Sequence, residues 1–179
     1  MSTSSSNFLK NYFLEKMIST RLYFLKNQGD VTDFFERIKS VKKLMIIVPR
    51  DRAEEVHVRK YISRIQEIFQ SAKFSTFDVC SLRKSDVNWL GVPNNSFLAK
   101  IQDENFDLVI DINSHHDHLC TFLGVFTNAP LRLHLTEGKF DKYYNIHIRA
   151  ESSAHTKARF KNMINYLAKI REMSKLKAS

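Results

Sequence analysis

Residues 86–113, DVNWLGVPNNSFLAKIQDENFDLVIDIN, decide how this chain folds, because three unlike signals follow one another there in the order of an α/β unit. An aromatic turn (Asn88, Trp89, Gly91, Pro93) leads into a short amphipathic helix capped by Asn94 or Asn95. That helix runs into the apolar strand FDLVIDI, Phe106–Ile112. The order is that of one half of a parallel-sheet layer.

Outward from this unit the pattern repeats. Leu44–Val48, LMIIV, is a continuous apolar run stopped by Pro49, as expected of a strand buried on both faces. Asp51 and Glu54 have capping-box spacing, and Val56, Tyr61, Ile62, Ile65, Ile68 and Phe69 continue a helix toward Ala72. A strand is expected over Phe74–Cys80, a helix over Leu119–Phe126, strands over Leu131–Leu135 and Tyr143–Ile148, and a long amphipathic helix over Ser153–Lys175. Near the start, Phe8, Leu9, Tyr12, Phe13, Met17, Ile18, Leu22 and Leu25 recur at helical steps, Gly29 ends that helix, and a shorter helical turn follows over Val31–Ile38. The alternation predicts a single Rossmann-like, three-layer α/β domain with a mostly parallel sheet, plus N-terminal and C-terminal helices. Residues 1–6 are expected to be a disordered tail, 7–40 an N-terminal helical segment, and 41–179 the Rossmann-like domain.

Composition agrees with one domain: 179 residues, 43% hydrophobic and 26% charged. Met1–Ser6 lacks a basic start, and the apolar residues after it are interrupted by Lys10, Glu15, Lys16 and Arg21. Neither a signal peptide nor a membrane span is therefore expected, and a cytoplasmic location is. Cys80 and Cys120 have no metal-knuckle or redox spacing and are expected to be reduced core thiols. The net charge of +9 is uneven: residues 151–179 carry seven Lys/Arg against two Asp/Glu, five of the nine net charges.

NWLGVP (Asn88–Pro93), FDLVIDI and YYNIHI (Tyr143–Ile148) make the chain resemble a family of short uncharacterised proteins of the Bacteroidetes and related bacteria. That resemblance covers roughly Leu44–Leu167 and implies no catalytic residues. Phe106–Asp111 and Leu131–Leu135 also resemble, more distantly, the N-terminal, acceptor-binding half of the heptosyltransferases, glycosyltransferase family 9. The chain departs from it at Pro49, Arg50, Asp51 and Arg52, where that family has a glycine-aspartate loop, and lacks its second, nucleotide-sugar domain. With glycine only at positions 29, 91, 124 and 138, no GxGxxG or Walker loop exists to cradle a phosphate, and there is no GxSxG elbow.

Two constellations carry chemistry. The first is a strand-end crevice, where open α/β sheets bind ligands, with Asp51, Asp111, Asn113, His115, His116 and His118 as candidates. Imidazoles and carboxylates there suit acid/base work or a metal, but adjacent residues on one turn diverge. A solvated helix start is the expectation for the histidines, with no metal and no cofactor; Asp51 reads as a helix cap and Asp111 as a strand-end acceptor. Trp89 is expected to anchor its loop on the sheet rather than to stack on a ligand. The second constellation is the terminal helix, with Phe160, Met163, Ile164, Leu167, Ile170 and Met173 on one face and Lys157, Arg159, Lys161, Lys169, Arg171, Lys175 and Lys177 elsewhere. Such a surface attracts phosphate backbones or anionic lipid.

These residues favour a non-catalytic binding module that engages a polyanion such as RNA through its basic C-terminal helix. The alternatives are an enzyme-like module holding an anionic sugar or nucleotide in the crevice, and an assembly subunit joining a protein partner or a second copy through its aromatic N-terminal helix.

Overall fold

LMIIV forms the strand that its unbroken apolar run requires. The computed structural model describes residues 12–13, 15–21, 23, 34–49, 55–89, 91–113, 115, 117–135, 138, 140–148 and 156–176, excepting the side chains of 55–57, 156 and 173–176. The run lies in β1 (Lys43–Val48), between β2 (Lys73–Asp78) and β3 (Leu108–Asp111), with β4 (Leu131–His134) and β5 (Ile146–His147) completing the order β2-β1-β3-β4-β5. All four neighbouring pairs are parallel.

Among the described residues six α-helices cover the sheet. Helix α1 comprises the helical residues 12–13, 15–21 and 23; α2 is Phe34–Lys39, α3 Glu55–Ile68, α4 Asn95–Asp103, α5 His118–Phe126 and α6 Thr156–Leu176. Because side chains alternate along a strand, β1 and β3 need an apolar layer on each side. On one face Met45, Ile47 and Val109 pack with Ile18 of α1, Leu98 of α4, and Phe122 and Leu123 of α5. On the other, Ile46, Leu108 and Ile110 pack with Ile38 of α2, Ile65 and Phe69 of α3, and Phe160, Met163 and Leu167 of α6. This is the three-layer α/β domain that the alternation predicts.

Local hydrogen bonds set the ends of the elements. The strand expected to reach Cys80 stops at Asp78, whose carboxylate accepts the Cys80 N–H (2.7 Å) and starts the 3-10 turn Val79–Ser81. Cys80 is therefore exposed, and the core-thiol expectation holds for Cys120 alone; neither forms a disulfide. The strand expected over Tyr143–Ile148 shrinks to two residues. Asp141–Tyr143 coil into a 3-10 turn, and Asn145 bonds to β4 with its side chain, accepting the Arg132 N–H (2.8 Å) and donating to the Pro130 carbonyl (2.7 Å). Arg132, buried, adds bonds from Nε to the Tyr143 carbonyl (2.8 Å) and from its guanidinium to the Ala129 carbonyl (2.7 Å). Burial pushes its pKa below the ordinary arginine value.

The terminal helices dock as apolar periodicity demands. On α1, Ile18 is buried, Glu15 lies 3.8 Å from His118 Nδ1, and Arg21 sits over the Phe122 ring at 6.0 Å, while Tyr12, Phe13 and Tyr23 face solvent. On α6, Phe160 stacks on Tyr61 of α3, with ring centroids 4.2 Å apart. The anchor expected of Trp89 is overturned: it is 82% exposed, because Val92, three residues on, fills the core position instead. Residues 1–6 and Phe8, Leu9, Leu22 and Leu25 lie outside the described residues.

Since Phe160 is 2% exposed and joins α6 to α3 and the sheet, Phe160→Ala should cost about 3–5 kcal/mol by cavity formation. Urea unfolding should show it as a lowered midpoint with an unchanged slope.

Candidate functional site

The row of residues across the carboxyl end of the sheet is Ile47, Asp111, His134 and His147, in register on β1, β3, β4 and β5. It lies at the point where the strand order reverses, the usual ligand crevice of such sheets. Asp111 is wholly buried there. Its Oδ2 accepts the Tyr144 hydroxyl at 2.7 Å, and its Oδ1 accepts the Asn113 backbone N–H (3.1 Å) and side-chain N–H (2.6 Å). The Tyr144 oxygen is also 3.2 Å from Thr121 Oγ1. His134 stacks on the Tyr144 ring at 4.8 Å, with Nε2 3.9 Å from Asp111 Oδ2. Burial first, and the Asp111 charge second, hold the Tyr144 phenol well above its ordinary pKa.

This arrangement holds a carboxylate inside the protein by giving each of its oxygens a hydrogen-bond donor. In this conformation Asp111 and Asn113 reach each other rather than a solvent-borne ligand. The histidine cluster diverges as well: His115 is exposed, while His118 turns toward Glu15 and packs edge-on against Phe140 at 4.7 Å. Between them Asp117 caps α5, accepting the Leu119 and Cys120 N–H groups at 2.9 Å each. Among the described residues no three His, Cys, Asp or Glu side chains gather as a metal would require. Asp51 and His116 lie outside the described residues.

The basic helix has a more open geometry. Helices α3 and α6 pack against each other, and between them runs a surface groove of about 940 Å³. Tyr61, Ile68, Ala158, Ile164 and Ala168 supply its apolar lining; Lys60 and Arg64 from α3, and Lys157 and Lys161 from α6, supply its cations. Each pair has i, i+4 spacing, so its two members lie one above the other on a helix face. Among the described residues Glu67 is the one carboxylate of the lining, 2.6 Å from Arg64. Tyr61 hydrogen-bonds through its hydroxyl to the Lys157 carbonyl (3.4 Å), and burial raises its phenol pKa.

The remaining sequence candidates separate. Lys169 is exposed outside the groove lining, and Arg159 is half-buried with its Nε shielded from solvent. Arg171 is occupied by the fold: its guanidinium donates to the Ile38 and Lys39 carbonyls and to Ser71 Oγ, and lies over the Phe69 ring. The Lys175 side chain and Lys177 lie outside the described residues. Lys60 and Arg64 are not among the sequence candidates, although their four-residue spacing on the side of α3 away from Val58 and Ile65 is visible in the chain.

Fold and site together define a doubly wound α/β domain with a hydrogen-bonded Asp111 at its strand ends and a cationic helical groove. Over residues 10–170 the chain matches the family described as "Family of unknown function (DUF6913)", and it belongs to that family. No curated protein matches the chain. No solved structure does either. Nothing in these comparisons supports the likeness to glycosyltransferase family 9.

Tyr144→Phe removes the donor to Asp111 Oδ2 and should cost about 1–3 kcal/mol near neutral pH. The raised phenol pKa fixes the sign at high pH. Above about pH 10 the unfolded chain ionises its tyrosine while the folded phenol stays protonated, so this residue's contribution declines as pH rises. Denaturant titrations across that range should show the gap between wild type and Tyr144→Phe narrowing.

Proposed function

We propose that this protein is a non-catalytic binding module that holds a polyanion, a nucleic acid such as RNA, in the groove between α3 and α6. The observation that carries the reading is the groove's lining: four cations against one carboxylate, set around an apolar floor. Phosphates pair with such cations and release condensed counterions, and the faces of bases and sugars can cover the apolar floor. The net charge of +9 adds long-range attraction. The three hydrogen bonds that Asp111 already accepts favour a ligand on this helical face over one in the crevice.

The test is fluorescence anisotropy with a labelled single-stranded RNA over a range of salt. If each of the four cations neutralises one phosphate, log affinity should fall with log salt with a slope of about −2.8, since single strands contribute about 0.7 per contact. Lys157→Gln with Lys161→Gln should flatten that slope by about 1.4, and Lys60→Gln with Arg64→Gln should do the same. Lys100→Gln, on α4 across the sheet, should leave it unchanged. Equal losses from Lys100 and the groove residues would reduce the effect to diffuse charge and remove the groove. Absence of binding at low salt would overturn the polyanion reading.

A further inference from the structure

The turn around Trp89 is built more firmly than a surface loop requires. Val87 and Pro93 form an antiparallel bridge, and inside it the Asn88 N–H donates to the Val92 carbonyl (2.8 Å) and the Gly91 N–H to the Asn88 carbonyl (2.9 Å). The Asn88 side chain accepts the Val92 N–H at 3.0 Å. Gly91, at φ +84°, takes a conformation other residues rarely adopt. Below the bridge, Asn94 donates from its backbone to the Asp86 carbonyl (2.9 Å) and from its side chain to the Ser85 carbonyl (2.6 Å). Val92 and Pro93 are buried, so the clamp is rooted in the core, and Trp89 stands at its tip, 82% exposed.

Two cations stand at the foot of this hairpin. Arg83 and Lys84, at the base of the hairpin, have exposed side chains that make no ion pair among the described residues. The nearby carboxylate of Asp86 accepts the Arg83 backbone N–H at 3.1 Å and the Ser85 hydroxyl at 3.4 Å. Among the described residues of 82–94, Trp89 is the one large apolar side chain exposed. A rigid hairpin with one exposed ring at its tip and two cations at its base suits a flat π face attached to phosphates. A protein hot spot or a bilayer would call for an apolar surround. The hairpin follows β2, and α3 and α6 follow β1 and β5, so the hairpin and the first turns of both groove helices lie on the carboxyl side of the sheet.

We infer that Trp89 is a stacking platform for an unpaired base of a single-stranded nucleic acid, with Arg83 and Lys84 on the adjoining phosphates. This rests on the polyanion reading and narrows it, because a base already stacked in a duplex cannot cover the indole.

Trp89 is the sole tryptophan, so emission excited at the red edge, beyond the absorption of the six tyrosines, reports on this ring alone. Titration with single-stranded oligoadenylate should quench the emission, and a duplex RNA at equal phosphate concentration should quench it far less. Trp89→Ala should weaken single-strand binding roughly tenfold, within the range that loss of one stacked base spans, and Trp89→Phe should recover most of the loss. Comparison of oligoriboadenylate with oligodeoxyadenylate separates RNA from DNA as the source of the base. Because the indole is outside the core, the Trp89→Ala protein should melt with the wild type, and a lowered melting temperature would remove its affinity from consideration and leave the quench to decide. Groove-dependent RNA binding with no quench and no loss in Trp89→Ala would overturn the stacking inference and leave the polyanion reading standing. No binding at all would end both. A blue shift with anionic vesicles and no response to oligonucleotides would overturn it in favour of a membrane contact.

Discussion

Everything in this fold follows from two strands that have no wet side. In β1, Leu44, Met45, Ile46 and Ile47 are all buried, and in β3 so are Leu108, Val109, Ile110 and Asp111. A parallel pair of this kind satisfies its backbone by the ladder but offers apolar side chains on both faces, so each face has to be roofed by helices. The roof on one side is α1, α4 and α5; on the other it is α2, α3 and α6. Helix α6 therefore gives Phe160, Met163, Leu167 and Ile170 to the sheet, and its cations go where the stripe leaves room. Lys157 and Lys161 fall beside Lys60 and Arg64 because α3 obeys the same constraint from the neighbouring crossover. The charged groove is a by-product of covering the sheet.

The same constraint governs what could be read in the chain. LMIIV and FDLVIDI are legible because a strand buried on both faces must be apolar at consecutive positions, a pattern that leaves helices and exposed strands behind. The helical face of α6 is legible for the complementary reason, its four buried residues recurring at three- and four-residue steps. The last strand is shorter than YYNIHI suggests because, beside the Asn145 backbone bond to the Arg132 carbonyl, side chains of Arg132 and Asn145 make bonds that a longer ladder would have made. No periodicity announces bonds between residues 13 apart in sequence.

The candidate site was legible only by halves. Basic residues on α6 stand out in the composition of the last 29 residues, but their partners on α3 sit in a segment whose charges nearly cancel, so totals hide them. Arg171 looks like any other cation of that helix, and only the packed structure gives it the carbonyls of Ile38 and Lys39. Trp89 misled for a related reason. A tryptophan among Gly and Pro reads as a loop anchor, yet in this turn Val92 occupies the core and the indole is left outside.

The contrast between the two ends of this surface turns on how each polar group is satisfied. Asp111 stands at the position where open α/β sheets present ligands, but it accepts three hydrogen bonds, from Tyr144 and from the backbone and side chain of Asn113. A ligand at its oxygens would have to replace those donors in a dry site, losing good bonds to make new ones. Lys60, Lys157 and Lys161 are exposed and hydrated, and a phosphate meeting them displaces water and counterions only. Binding at the groove requires no rearrangement of the fold, whereas binding at the strand ends requires the Asp111 network to open. That difference is the physical reason for proposing the helices, and not the crevice, as the binding face.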